Sequence, residues 1–213
     1  MSVFPLKLAL NAQNNPSSVF KYGCINIDNP NMPLGFVLFD TYGYTDGTTT
    51  PSSPPYDSSK ILGWHKSGAG DIHCAIAFEN LGTLLNPHGQ ISPQPFPDTG
   101  IYMHPAKLGI GTVGTRNPVI RITAPFNGTF SLSGSIQRAT INCGSDIGYT
   151  IKKNQSVDLQ SRAIISTSNT PTAVNIGPFP LLQGDYVDIM IDAGDDGDDA
   201  CDDTAVDFTV TFE

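Results

Sequence analysis

The residues with the clearest chemical potential lie near the C-terminal end of this 213-residue sequence. Between Asp192 and Asp203 the chain holds seven aspartates in twelve residues, with Gly194 and Gly197 to let the backbone turn. Like charges at this spacing repel one another, and a hard cation bound by oxygen ligands would remove the repulsion. The pattern predicts a calcium site, the one cofactor suggested, although the glutamate of an EF-hand loop is missing. A solvated acidic hairpin and a surface for a basic partner are the alternatives. The candidate ligands are Asp195, Asp196, Asp198, Asp199, Asp202 and Asp203.

A second group of residues has the chemistry to bind sugars, because a flat aromatic ring stacks on the apolar face of a pyranose. Tyr42, Tyr44 and Tyr56 cluster around a proline-rich stretch, and the lone tryptophan, Trp64, follows it. These four residues are the candidate glycan-binding platform. The alternative is a core tryptophan with tyrosines on the surface.

The four cysteines are Cys24, Cys74, Cys143 and Cys201, and no two have the CxxC spacing of a zinc knuckle. Buried free thiols and one or two disulfides both remain open. Cys143 and Cys201 are expected in loops near the same pair of late strands, so a bond between them is the pairing to test in an extracellular setting.

Catalytic patterns are missing from the sequence. There is no GxSxG nucleophile elbow, and the four histidines form no HxH or HExxH pattern. Glu79 and Glu213 are the only glutamates, and nothing singles out a pair of carboxylates placed for glycoside cleavage. We therefore expect a protein that is not an enzyme.

The formal net charge of −9 argues against nucleic acid and against an anionic membrane surface as partners. From residue 188 to the end there are ten acidic residues and no basic ones, so the acidity is local to the C-terminal end. No apolar run reaches the roughly 18 residues of a transmembrane helix.

The elements that must position these residues are β-strands, because apolar residues alternate with polar ones almost everywhere. The clearest runs are 129–136, 186–192 and 205–212. Turn residues punctuate them, and we predict an all-β fold: one antiparallel two-sheet β-sandwich, jelly-roll-like, with residues 1–213 in a single domain. Long loops are expected near 45–59 and 86–98. Further strands are predicted at 4–10, 19–27, 35–41, 61–65, 72–78, 100–104, 119–122, 148–152, 156–159, 163–167 and 173–176.

Several short motifs resemble those of a recurrent β-sandwich module of secreted bacterial proteins, many of which end in a PEP-CTERM sorting signal. The run from Asn117 to Phe130, NPVIRITAPFNGTF, resembles the signature V-V-R-W-T-A-P-x-x-G-T-Y. Residues 102–105 are similar to the preceding L-H-P-G, and residues 182–188 to L-A-A-G-D-x-I-D-F. Residues 203–206 resemble the closing D-S-T-G, and residues 19–23 the W-x-Y-G near the start.

This resemblance implies a β-sandwich of carbohydrate-binding-like or unknown function. Ile122 stands where the family has a tryptophan, so no aromatic ring at that position can carry binding. The sequence shows neither a leader nor a sorting signal, which suits a phage virion protein released by lysis.

The sequence thus predicts a non-catalytic binding or structural module displayed on an extracellular or virion assembly, such as a phage decoration or fibre-type protein, with glycan as a candidate ligand. The alternative is a carbohydrate-binding module of a larger secreted glycan-active enzyme. The expected partners are other subunits of the assembly, including further copies of this chain, and a surface glycan.

Overall fold

The computed structural model describes residues 2–5, 15–17, 19–26, 35–44, 61–65, 75–80, 101–107, 115–138, 146–167, 170–195 and 204–213. Every helix or strand within these ranges is a β-strand, which confirms the all-β prediction. The described ranges contain no helix that is long and apolar enough to cross a membrane.

The strands of the first half are short. They are β1 (Ser2–Pro5), β2 (Phe20–Asn26), β3 (Gly35–Leu38), β4 (Thr41–Tyr44), β5 (Ile61–His65), β6 (Ala75–Asn80), β7 (Ile101–His104) and β8 (Ala106–Lys107). The strands of the second half are mostly longer. They are β9 (Thr115–Thr123), β10 (Gly128–Arg138), β11 (Ile147–Lys153), β12 (Val157–Ile165), β13 (Thr172–Leu181), β14 (Tyr186–Asp192) and β15 (Thr204–Phe212).

These strands form two antiparallel sheets, which confirms the predicted sandwich. Sheet A has the order β13-β10-β15-β7-β6-β5-β4, with β1 beside the end of β15, and sheet B has the order β12-β11-β14-β9-β2-β3, with β8 beside β9. The central orders β7-β15-β10-β13 and β9-β14-β11-β12 are those of a jelly roll. Early and late strands share both sheets, since β1 pairs with β15 and β2 with β9.

The core lies between the two sheets and follows the alternation of the sequence. In β15, Val206, Phe208 and Val210 are buried while Asp207 between them is exposed. The same core includes Ile189 and Ile191 of β14, both with no exposed surface. One apolar face for each strand is the arrangement that period-two patterning produces.

The largest departures from the predicted boundaries occur at the sheet edges. The expected breaks at residues 160–162 and after Ile176 do not occur: β12 runs unbroken, and β13 continues through Pro178 and Pro180. β12 and β13 lie at the ends of their sheets, where polar residues can face solvent. A proline, which has no N–H, removes no hydrogen bond to a neighbouring strand when it faces the open edge. The predicted strand 35–41 is divided between β3 in sheet B and β4 in sheet A.

Candidate binding surfaces

The aromatic residues singled out in the sequence do not all reach the surface. Tyr42 and Tyr44 lie on β4, where they pair with Trp64 and Leu62 of β5. Trp64 is 8% exposed and belongs to the hydrophobic core, so its ring has little face to offer a sugar. This burial favours the alternative of a core tryptophan. Tyr56 lies outside the described residues, and a glycan-binding role for the tyrosines stays a prediction.

At the start of the acidic segment, two carboxylates share one cation of the protein's own, Arg162. Arg162 on β12 donates to the Asp192 carboxylate from Nε (3.0 Å to Oδ2) and Nη2 (2.8 Å to Oδ1), and from Nη1 to Asp195 Oδ1 at 2.6 Å. Asp146 Oδ1 accepts the Asp195 N–H at 2.9 Å, and Asp192 Oδ1 accepts the Gly194 N–H at 3.0 Å. Hydrogen bonds from Arg162 to Asp192 and Asp195 raise the pKa of the guanidinium above its ordinary value.

A glycine between the partners makes this ion pair possible. Gly148 on β11 pairs with Ile164 of β12 on one side and with Asp192 of β14 on the other. A Cβ at position 148 would overlap the Asp192 carboxylate. Gly148 therefore provides the space in which Asp192 turns towards Arg162 on the far strand.

The other residues predicted to bind calcium or form a disulfide, Asp196, Asp198, Asp199, Asp202, Asp203, Cys143 and Cys201, lie outside the described residues. Within the part of the chain that the structure describes, no group of three or more His, Cys, Asp or Glu side chains could hold a metal ion. Calcium binding and the disulfide stay predictions.

The sequence reasoning missed a buried charge cluster on the outer face of sheet B. Arg121 of β9 binds Asp188 of β14 through both carboxylate oxygens, at 2.8 Å from Nε and 2.9 Å from Nη2. The side chains are 13% and 2% exposed. The Arg121 guanidinium also lies 4.0 Å from the ring centre of Phe36 and 3.8 Å from that of Tyr186. Two aromatic rings and a bidentate carboxylate thus surround one cation.

Three of the sequence motifs meet at this cluster. Arg121 comes from the TAP-containing run, Asp188 from the LQGDYVD run and Gly23 from the KYG run. Gly23 is required by the ring of Phe36, since a Cβ there would come within 2.7 Å of that ring. These motif positions therefore contribute to the packing of sheet B.

A rigid pair of turns forms one end of the sandwich, and we call it the apex: residues 124–127 between β9 and β10, and residues 182–185 between β13 and β14. The Ala124 N–H donates to Asp185 O at 2.8 Å, and the Gly184 N–H donates to Ala124 O at 3.0 Å. The Gln183 N–H donates to Asn127 Oδ1 at 2.7 Å. Gly184 has φ +88°, which the third position of a type II turn requires.

The β11–β12 turn braces the apex from below. Asp185 accepts hydrogen bonds from Asn154 Nδ2 at 2.9 Å and from the Leu182 N–H at 3.0 Å, and Lys153 Nζ lies 3.1 Å away. These contacts, led by Asn154, lower the pKa of Asp185 from 3.8 to about 2. The Asn154 carboxamide also accepts the Tyr186 N–H, at 2.9 Å, so a single residue ties the turn to β14.

The apex presents apolar side chains to solvent. Phe126 is 40% exposed and Leu182 is 65% exposed. The inner edge of Phe126 packs on Phe212, with 6.0 Å between ring centres, and Phe212 packs in turn on Phe130 of the core at 5.4 Å. The exposed ring is thus anchored to the core.

The chain matches no protein-family model, and no curated protein sequence matches it. Among solved structures it is similar to a GH26-CBM35 β-(1,4)-mannanase of Podospora anserina, with 16% identity and a TM-score of 0.32. The match covers 54% of this chain and 26% of the mannanase chain. A TM-score this low carries no argument about function.

Proposed function

We propose that this chain is a non-catalytic binding and structural module displayed on an extracellular or virion assembly, and that it contacts its target through the apex. The observation that carries the proposal is the exposure of Phe126 and Leu182 on turns that are locked by hydrogen bonds. Exposed apolar side chains on a rigid frame are typical of a contact surface, because little conformational freedom is lost on binding.

A second feature supports a place in an assembly. β12 is an end strand of sheet B in the described part of the chain, and Val157 and Ile164 on it are 53% and 37% exposed. An end strand with apolar side chains can add a strand from a neighbouring subunit. Asp158 and Arg162 on the same strand carry opposite charges. They would limit this pairing to a strand whose own charges are complementary to theirs.

The test combines a mass measurement with a binding screen on the purified chain. Light scattering coupled to size exclusion gives the oligomeric state, and an array of immobilised neutral and acidic oligosaccharides gives the ligand class. A stable oligomer is the expected result, and a specific array signal from that oligomer would give its ligand class. A monomer that binds glycan would indicate the free carbohydrate-binding module instead. A monomer that binds nothing on the array would refute the proposal.

A further inference from the structure

We infer that the apex is a binding site for a neutral saccharide, with Phe126 as the stacking ring and the carboxamides of Asn127 and Gln183 as partners for sugar hydroxyls. The inference rests on the proposed function, because it names the ligand class of the same surface.

The size of the patch favours a sugar over a protein. The exposed parts of Phe126 and Leu182 amount to on the order of 200 Å², since a whole aromatic side chain offers about 150–250 Å². A stable protein interface needs about 800 Å² on each partner. One or two pyranose rings match an apolar patch of this size.

The charge at the apex favours a neutral ligand. The tips of the two turns, residues 125–127 and 182–184, contain no ionisable side chain. Beneath them Asp185 is already paired with Lys153, and the exposed Glu213 lies at the margin, bonded through its backbone to Thr129. The tips of the two turns thus offer no cationic side chain to pair with the charge of an acidic polysaccharide.

One side-chain amide at the apex is engaged before any ligand arrives. Asn127 Oδ1 accepts the Gln183 N–H at 2.7 Å, which directs the Asn127 amide. The NH₂ of that amide has no partner within the described residues and can donate to a hydroxyl. The Phe126 ring is anchored by its contact with Phe212, and Gly128 leaves room beside it, because a Cβ there would lie 3.2 Å from the ring and would overlap Glu213 O. An anchored ring next to a directed amide can contact a sugar's apolar face and its rim hydroxyls together.

The experiment is affinity electrophoresis of the whole chain in gels containing dextran, xylan or galactomannan, after the oligosaccharide array has identified the neutral sugars that it binds. Phe126→Ala and Leu182→Ala are the test variants, and Val3→Ala on β1 is the control, because Val3 is 52% exposed and lies outside both the apex and β12. We expect at least about a tenfold weaker binding for Phe126→Ala, because the substitution removes the stacking ring. Val3→Ala should bind as the unchanged chain does.

The melting temperature of each variant separates loss of the site from loss of the fold. If Phe126→Ala has a much lower melting temperature, Leu182→Ala becomes the variant that tests the site. Sugar binding that survives both substitutions would overturn the inference and leave the proposed function standing. An assembled chain that binds only acidic sugars, or a protein partner in place of any sugar, would also overturn it. Absence of both assembly and binding would overturn the proposed function as well.

Discussion

Replacement of Asp188 by alanine should destabilise the protein strongly, because it leaves the Arg121 guanidinium without its carboxylate. Removing one member of a buried ion pair costs about 3–5 kcal/mol. Phe36 and Tyr186 lie against the same guanidinium and each contributes roughly 0.5–2 kcal/mol of cation–π attraction that survives the substitution. We therefore expect the free energy of unfolding to fall by about 3 kcal/mol, near the lower end of that range. For a chain of this size, this corresponds to a melting temperature lower by about 6–12 °C.

Asp158 offers a matched control on the same face of sheet B. It pairs with Lys152 Nζ at 2.6 Å, but the two side chains are 43% and 33% exposed. An exposed pair of this kind contributes about 0–1 kcal/mol, so Asp158→Ala should barely change the melting curve. Urea unfolding at neutral pH measures both variants.

A double variant separates the charge from the packing. Arg121→Met combined with Asp188→Leu leaves no charge in this cluster, and the double variant should be more stable than Asp188→Ala alone. The reasoning would be refuted if Asp188→Ala lost no more stability than Asp158→Ala.

Three further outcomes are expected. Gly148→Ala should lower the melting temperature because the new methyl group displaces the Asp192 carboxylate. The decrease should be smaller in an Asp192→Ala background, and a double-mutant cycle measures the difference in unfolding free energy. Asp185 has a lowered pKa in the folded state, so its stabilising effect is complete above pH 3.8 and disappears as the pH falls towards about 2. Asp185→Asn should accordingly flatten the dependence of melting temperature on pH in that window, and an unchanged slope would contradict this. Millimolar calcium should raise the melting temperature reversibly if residues 195–203 bind it, because binding adds about 2.7 kcal/mol to the free energy of unfolding at a hundredfold excess over Kd. An unchanged curve, with no calcium found by elemental analysis, would leave the segment as an acidic surface.

Strands with alternation along their whole length could be predicted almost to the residue, and strands with polar stretches could not. The run 186–192 and the run to Phe212 alternate because the core accepts only one of their faces. β9 lies inside sheet B, yet it begins at Thr115 and not at the predicted Val119, because its first four residues show no apolar alternation. β12 and β13 meet solvent along much of their length, so their sequences lack the apolar alternation that marks a strand. Such an interrupted pattern predicts two short strands or an early end, although the backbone ladder continues.

The charge cluster depends on register, which no local pattern reveals. Arg121 and Asp188 are separated by 67 positions and become partners only when β9 pairs with β14 in one alignment. A usable signal was present: each residue is the one charge in the middle of an apolar run, Ile120 to Ile122 and Val187 to Ile189. A charged side chain flanked by apolar residues needs an oppositely charged partner when it is buried. Arg121 in the middle of one strand and Asp188 in the middle of another are such a pair.

The exposure of Phe126 could not be predicted for a different reason. Local sequence does not show whether an apolar residue in a turn packs inward. Phe126 does both, since one edge contacts Phe212 while 40% of the residue faces solvent. This division depends on the end of β15 beside the turn, which no pattern within residues 124–127 reveals.

The residues that align with the resembled signature fall into two groups: some pack within the sandwich, and others are exposed at the apex. Its arginine and its glycine correspond to Arg121, which organises sheet B, and Gly128, which sits beneath the apex ring. Its two unspecified positions, between the proline and the glycine, correspond to Phe126 and Asn127. Neither side chain takes part in the Arg121 cluster, but both help to hold the apex, since Phe126 packs on Phe212 and Asn127 accepts the Gln183 N–H. An exchange of either residue would therefore change the contact surface and the packing of the apex together, while the Arg121 cluster would keep its contacts.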